Sequence, residues 1–191
     1  MEEKDNLSKT FEKLVESASS FDKEAFEKVY QEYVALIFRF FFLRLRNQAL
    51  AEDLCQAVFL KAWEKIHLLR EREKILAWLF KIAHHLLVDY FRQKKEVSVA
   101  DFSYLEKESS SSLEDDLDLR NLLKDVWEVL DSLSEEQRQV IILRFFEGLT
   151  LPEIEEIMGK SNTAIRSLQY RALINLKKAL VFRNENKNKK R

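Results

Sequence analysis

A chain of 191 residues with 46% hydrophobic side chains can bury the core of one domain or two small ones, and its 32 basic against 33 acidic side chains leave a net charge of −1. Two glycines and one proline in that length exclude turn-rich β-sandwiches, barrels and dinucleotide-binding α/β folds, whose turns need residues at positive or locked φ. The lone Cys55 excludes an intramolecular disulfide and a cysteine-rich zinc site, and it suits a reducing cytoplasm.

The fold class that remains is all-α, in two small helical domains. The charged start, MEEKDNLSKTFEKL, does not have the form of a secretory signal peptide, and a short helix is expected over 7–18. Three longer runs follow with a period of 3.6 residues. The first, preceded by Ser20 or Phe21, holds Phe26, Val29, Tyr30, Tyr33, Ile37, Phe38, Phe41 and Leu45. Its greasy part, 34–45, is interrupted by Arg39 and Arg44 and is too short and too charged to span a bilayer. The second run holds Leu50, Leu54, Val58, Phe59, Ala62, Trp63 and Ile66. After a charged loop, about 67–75, the third holds Ile75, Leu76, Leu79, Ile82, Ala83, Leu86, Leu87 and Tyr90. Three such helices make a bundle, assigned to residues 1–95.

Charge then changes sharply. Residues 96–120 carry eight acids and two bases, a net of −6, around the run Ser109-Ser110-Ser111-Ser112, and no apolar period. The segment reads as an acidic, flexible linker. Beyond it, 121–182 forms a second helical domain and 183–191 a basic tail. Both glycines, Gly148 and Gly159, and the only proline, Pro152, fall within twelve residues of one another. Gly148 can end a helix over 135–147 in the left-handed conformation. Thr150 and Glu153 form a capping box with Pro152 in the first turn, and Ser161 caps the next helix after a turn at Gly159. Two helices joined so tightly describe a helix-turn-helix with a core of Ile154, Ile157, Met158, Ile165, Leu168 and Ala172. Leu173, Leu176 and Leu180 are expected to continue the inward face.

The outward face of that second helix presents Ser161, Asn162, Thr163, Arg166, Ser167, Gln169, Tyr170 and Arg171. Asn, Gln and Arg can form paired hydrogen bonds to base edges in a major groove, and helix N-termini attract phosphate. Residues 160–191 hold ten bases and one acid, which suits a phosphate backbone. A solvated amphipathic helix with a basic tail is the plainer reading; agreement of caps, charge and polar face favours DNA binding.

Four blocks carry a family resemblance. AEDLCQAVFLKAW at 51–63 resembles the AEDLxQxxFLxAW signature of region 2 in bacterial sigma factors of the extracytoplasmic-function (ECF) branch, and WLFKIAHHLLVDYFR at 78–92 resembles the WLxxIAxNxxxDxxR segment of the same region. LSEEQRQV at 133–140 and EGLTLPEI at 147–154 resemble the opening of region 4. The resemblance implies a dissociable subunit of RNA polymerase that recognises promoter DNA and helps to open it. Asp53, Gln56 and Phe59 would dock on core polymerase. Trp78, Lys81, His85, Asp89, Arg92 and Lys94 would meet the −10 element, with Trp78, Tyr90 and Phe91 as candidates for base stacking. The helix-turn-helix residues would read the −35 element. An anti-sigma factor is a further implied partner, and the free chain is expected to be monomeric.

Two residues depart from the pattern. His85 stands where the family usually has Asn, and Glu155 where it has a small Ala against the recognition helix; Glu155 must snorkel outward or spread the helices. His84-His85 is not a metal motif, because neighbours on a helix point about 100° apart. No cofactor is expected. Neither is catalysis, since the sequence places no nucleophile beside a His and no glycine-rich phosphate loop. A stand-alone helix-turn-helix regulator would explain 148–172 and leave the 51–63 helix unexplained. A protein-binding helical adaptor would leave the basic excess after 160 unexplained.

Overall fold

A computed structural model describes residues 23–69, 71–100 and 117–188, and among them there are helices and turns but no strand. The expected helix over 7–18, the middle of the acidic segment and the last tail residues lie outside the described residues. The chain divides into two compact units, 1–110 and 111–191.

The first unit holds α1 (Lys23–Leu45), α2 (Gln48–Lys65) and α3 (Ile75–Ala100), each packed on the other two. The reversal between α1 and α2 takes two residues. Arg46 adopts a left-handed φ of 55° and its N–H returns to Phe42 O at 3.0 Å. Asn47 then caps α2, its Oδ1 accepting from Leu50 N–H at 2.9 Å. With the helices antiparallel, Ile37, Phe40, Phe41, Val58, Ile66, Leu79 and Phe80 are fully enclosed. Phe40 meets Phe41 and Phe80 edge-on, each at 5.5 Å between ring centres. Burial of each such side chain stabilises by about 1.5–3 kcal/mol. Two 3₁₀ turns, Ile66–Leu68 and Arg72–Lys74, carry the chain from α2 to α3. Helical backbone in α3 continues to Ala100, five residues past the limit expected at 95.

The second unit holds α4 (Leu117–Asp131), α5 (Glu135–Ile141), α6 (Leu151–Met158) and α7 (Asn162–Asn188). Ser134 and Gln137 form a reciprocal capping box on α5. Gln137 is buried there, and its Oε1 also accepts from Asn175 Nδ2 of α7 at 3.1 Å. The single helix expected over 135–147 instead widens into a π turn, Ile142–Phe146. Glu147 N–H bonds five residues back to Ile142 O (3.1 Å), and Leu149 N–H six back to Leu143 O (3.0 Å). Gly148 at φ 72° lets the chain reverse, and Arg144 Nη1 holds Leu149 O at 2.7 Å. These bonds satisfy carbonyls that a plain helix end would leave open.

The inward face of α7 is shorter than the sequence suggests. Leu173 and Leu180, expected inside, are 44% and 47% exposed. The 27 residues of α7 span about 40 Å, whereas α6 has eight residues and covers only the first turns.

Candidate nucleic-acid interface

The helix-turn-helix is built by local chemistry at each joint. Glu153 reaches back to accept from both the N–H (2.7 Å) and the hydroxyl (2.6 Å) of Thr150, with Pro152 in the first turn of α6. Gly159 closes α6 at φ 62°, and a Cβ added there would meet nothing within 4 Å. Backbone strain, not space, selects glycine at this turn. Ser161 Oγ accepts from Ala164 N–H at 3.4 Å and starts α7. Ile154, Ile157 and Met158 of α6 and Ile165, Leu168 and Ala172 of α7 are all buried, which fixes the rotation of α7.

That rotation leaves Ser161, Thr163, Arg166, Ser167, Tyr170 and Arg171 exposed, with Asn162 and Gln169 half-buried at the margin. Tyr170 is 68% exposed. Arg171 Nε donates back to Ser167 O at 3.3 Å. The face continues through Lys177 and Lys178, both exposed. The N–H groups at the start of α7 that Ser161 does not cap, with a row of cationic and amide side chains, suit a duplex groove and its phosphates.

Glu155 neither spreads the helices nor points freely to water. Half-buried, its Oε2 accepts from Asn162 Nδ2 at 2.9 Å. Asn162 Oδ1 in turn accepts from Arg166 Nε at 2.6 Å. This chain of three was not legible in advance, since it depends on side-chain directions across the Gly159 turn; only the four-residue spacing of Asn162 and Arg166 pointed to half of it.

In the first unit, Trp78, Lys81, His85, Asp89 and Arg92 follow helical spacing along one stripe of α3. His85 and Arg92 are exposed, while Trp78, Lys81 and Asp89 are half-buried. Asp89 pairs with Arg92 at 3.0 Å, which moderates the positive charge of the stripe and aims the guanidinium along it. Lys94, also exposed, falls outside this stripe, roughly 140° or more around the helix. Tyr90 and Phe91 are half-buried and pack on each other edge-on at 5.5 Å, with the Arg44 guanidinium 5.9 Å above the Phe91 ring. Trp78 is the aromatic on the stripe, and Tyr90 and Phe91 lie off it. His84 and His85 diverge with ring centres 5.7 Å apart, and among the described residues no cluster of three or more His, Cys, Asp or Glu could hold a metal ion.

On α2, Asp53 and Gln56 are exposed and one turn apart. Phe59, expected beside them, is corrected by the structure: it is 4% exposed and meets Tyr30 edge-on at 4.8 Å. The exposed apolar side chain near them is Leu60, 67% exposed and four residues after Gln56. Sequence reasoning missed Leu60 because an aromatic looked like the stronger anchor; positions 53, 56 and 60 are the spacing that could have found it.

Two family models match the chain, Sigma-70 region 2 over residues 29–97 and Sigma-70 region 4 over residues 129–178. The ECF RNA polymerase sigma factor BldN of Streptomyces coelicolor is 32% identical over 174 residues, which cover 87% of this chain and 64% of that protein. The RNA polymerase sigma factor SigV of Bacillus subtilis is 34% identical over 139 residues, covering 71% of this chain and 79% of that one. Among solved structures, the sigma factor RpoE in complex with the anti-sigma factor NepR from Bartonella quintana superposes with a TM-score of 0.68 at 27% identity, over 81% of this chain and 96% of that one. CnrH in complex with the cytosolic domain of CnrY shares the fold with a TM-score of 0.71 at 21% identity, over 89% of this chain and 96% of that one.

Proposed function

Since the chain belongs to the sigma-70 family of RNA polymerase sigma factors, in its ECF branch, we propose that it binds core RNA polymerase, selects promoters and helps to open them. The observation that carries this reading is the helix-turn-helix of the region 4 match, whose buried face fixes α7 so that Arg166, Tyr170 and Arg171 stand outward with Gln169 at the margin. In this reading α7 enters the major groove of the −35 element and its phosphate contacts fix register. The α3 stripe meets the −10 element: Lys81 and Arg92 offer charge to the backbone, and Trp78 and His85 face the unstacked strand. Asp53, Gln56 and Leu60 on α2 contact core polymerase. The domain assignment follows these roles, with 1–95 as region 2, 96–120 as linker, 121–182 as region 4 and 183–191 as a basic tail.

The chain acts as a single copy in the cytoplasm, without catalysis of its own. Sigma factors are not enzymes, and among the described residues no helix is long and apolar enough to cross a membrane. An anti-sigma factor belongs among its partners, as one accompanies RpoE in the related structure. Transcription in vitro with core polymerase on a genomic fragment library tests the reading. Start sites that appear only when the chain is added support it. A chain that footprints duplex DNA by itself and adds no start sites is a stand-alone regulator instead.

A further inference from the structure

Base readers on a recognition helix need a defined direction, and Arg166 has one before any DNA arrives. Its Nε is taken by Asn162 Oδ1 at 2.6 Å, and Asn162 is itself turned by Glu155, whose Oε2 accepts from Nδ2 at 2.9 Å. The amide of Asn162 could otherwise lie either way round. A carboxylate accepts and never donates, so Glu155 forces Nδ2 toward α6 and Oδ1 toward Arg166. An oxygen is the only atom of the two that can hold an N–H of a guanidinium. Glu155 is half-buried on the helix that packs under α7, so the clasp is anchored on the scaffold and not on the exposed face.

From this geometry we infer that Glu155 is a specificity-determining positioning residue, acting through Asn162 to set how Arg166 reads a base; the inference rests on the reading that α7 enters promoter DNA. With Nε occupied, only Nη1 and Nη2 of Arg166 remain to meet a base. Their paired N–H groups point away from Asn162 and match the O6 and N7 acceptors of a guanine presented end-on. An approach through Nε and one Nη is closed while the clasp holds. Asn162, held by one bond at its amide nitrogen and one at its oxygen, acts here as the support of a reader. The clasp also fixes a long side chain in advance, so less rotamer freedom is lost on binding. A small residue at 155 could not turn Asn162 this way.

The test uses core polymerase reconstituted with the full chain, a promoter library randomised across the upstream element, and sequencing of the transcripts. The wild-type chain is expected to enrich guanine at one position that Arg166→Ala no longer selects. Glu155→Ala and Asn162→Ala should each lower that enrichment about fivefold or more, the weaker end of a bidentate base contact, and leave the other positions unchanged. Glu155→Gln, whose amide can accept from Nδ2 but can also donate and so no longer forces the Asn162 amide one way, should lower it less than Glu155→Ala does. The double variant Glu155→Ala with Asn162→Ala should lose no more than either alone, because one relay is broken once. Unchanged enrichment in Glu155→Ala overturns the inference, as does a loss spread evenly over all positions, which is what general weakening of the fold or of charge would give. If the wild-type chain itself directs no transcription, the function falls and this inference with it; a working wild type with an indifferent Glu155→Ala removes the inference alone.

Discussion

Gly159 and Cys55 each carry a consequence that one substitution or one titration can measure. Replacing Gly159 by Ala puts a side chain at φ 62°, where L residues pay about 1–2 kcal/mol, in open space that offers no contact in return. Thermal or urea unfolding should therefore report a loss of about 1 kcal/mol for Gly159→Ala, and no loss would mean that the turn relaxes. Cys55 is enclosed between α2 and α1, its Sγ 3.7 Å from Val34 O, and burial pushes its pKa up to about 11. The folded state thus keeps the thiol proton at a pH where the unfolded chain has lost it. Stability contributed by this group is present below the ordinary thiol pKa and declines as pH rises toward about 11. A thiol reagent at pH 8 should modify the native chain far more slowly than the denatured one; equal rates would place Cys55 at the surface. The Thr150–Glu153 cap was legible at this scale because it uses residues three apart in sequence; the Ser134–Gln137 box has the same spacing and was not read from it. The Glu155–Asn162 bond was not, since a turn and two rotamers lie between its ends.

At the scale of the helix, rotation about the axis decides what a residue can do. Phe59 and Leu60 are neighbours, yet one is 4% and the other 67% exposed, a difference that periodicity alone leaves open when both are apolar. The rotation of α2 is set by Ala51, Cys55, Val58 and Ala62, all buried. Asp53→Ala with Gln56→Ala should weaken binding to core polymerase at least about tenfold, or 1.4 kcal/mol. Leu60→Ala is expected to weaken it also, with unfolding unaffected, since the side chain leaves water only in the complex. Titration pull-downs with unchanged affinity in both variants would move the docking surface off α2. On α7, Arg166 lies in the part braced by α6, whereas Lys177 and Lys178 lie beyond it. Arg166→Ala should relax preference at one or two base positions, at a cost of about 1–3 kcal/mol on the best site. Lys177→Ala and Lys178→Ala should weaken all sites alike and flatten the salt dependence. A site selection that returns the wild-type motif for Arg166→Ala would reassign base reading to Gln169, Tyr170 or Arg171. The helices of residues 23–95 and 135–188 were legible, whereas the helical ends of the segment read as a linker, 96–100 and 117–120, and α4 itself were not, because acidic residues there hide the apolar period. The π turn after α5 depends on where Gly148 and Arg144 place their hydrogen bonds, which no apolar period encodes.

For the whole molecule, charge distribution is the property that sequence states most plainly and geometry adds to least. Residues 96–120 hold a net of −6 and residues 160–191 a net of +9, on one chain whose total is −1. Glu96 and Asp118 belong to α3 and α4, and the other six acids fall between those helices in residues outside the description. A short flexible linker between opposite charges would hold them at an effective concentration of roughly millimolar, well above that of any promoter in a binding assay. Screening at physiological salt acts over about 8 Å, so competition requires close approach and must fade as salt rises. The free chain is therefore expected to bind duplex DNA less well than its basic face alone would allow. Replacing Glu96, Asp101, Glu106, Glu108, Glu114, Asp115, Asp116 and Asp118 by Ser or Gln keeps the tether length and removes the competitor. Promoter binding by that variant should be about tenfold tighter at low salt, with the gap closing as salt is raised. Core polymerase, by drawing the acidic segment away, should abolish the difference between variant and parent. If the two chains bind DNA alike across the salt series, the segment is only a spacer, and weak binding by the free chain must arise from the α7 surface itself.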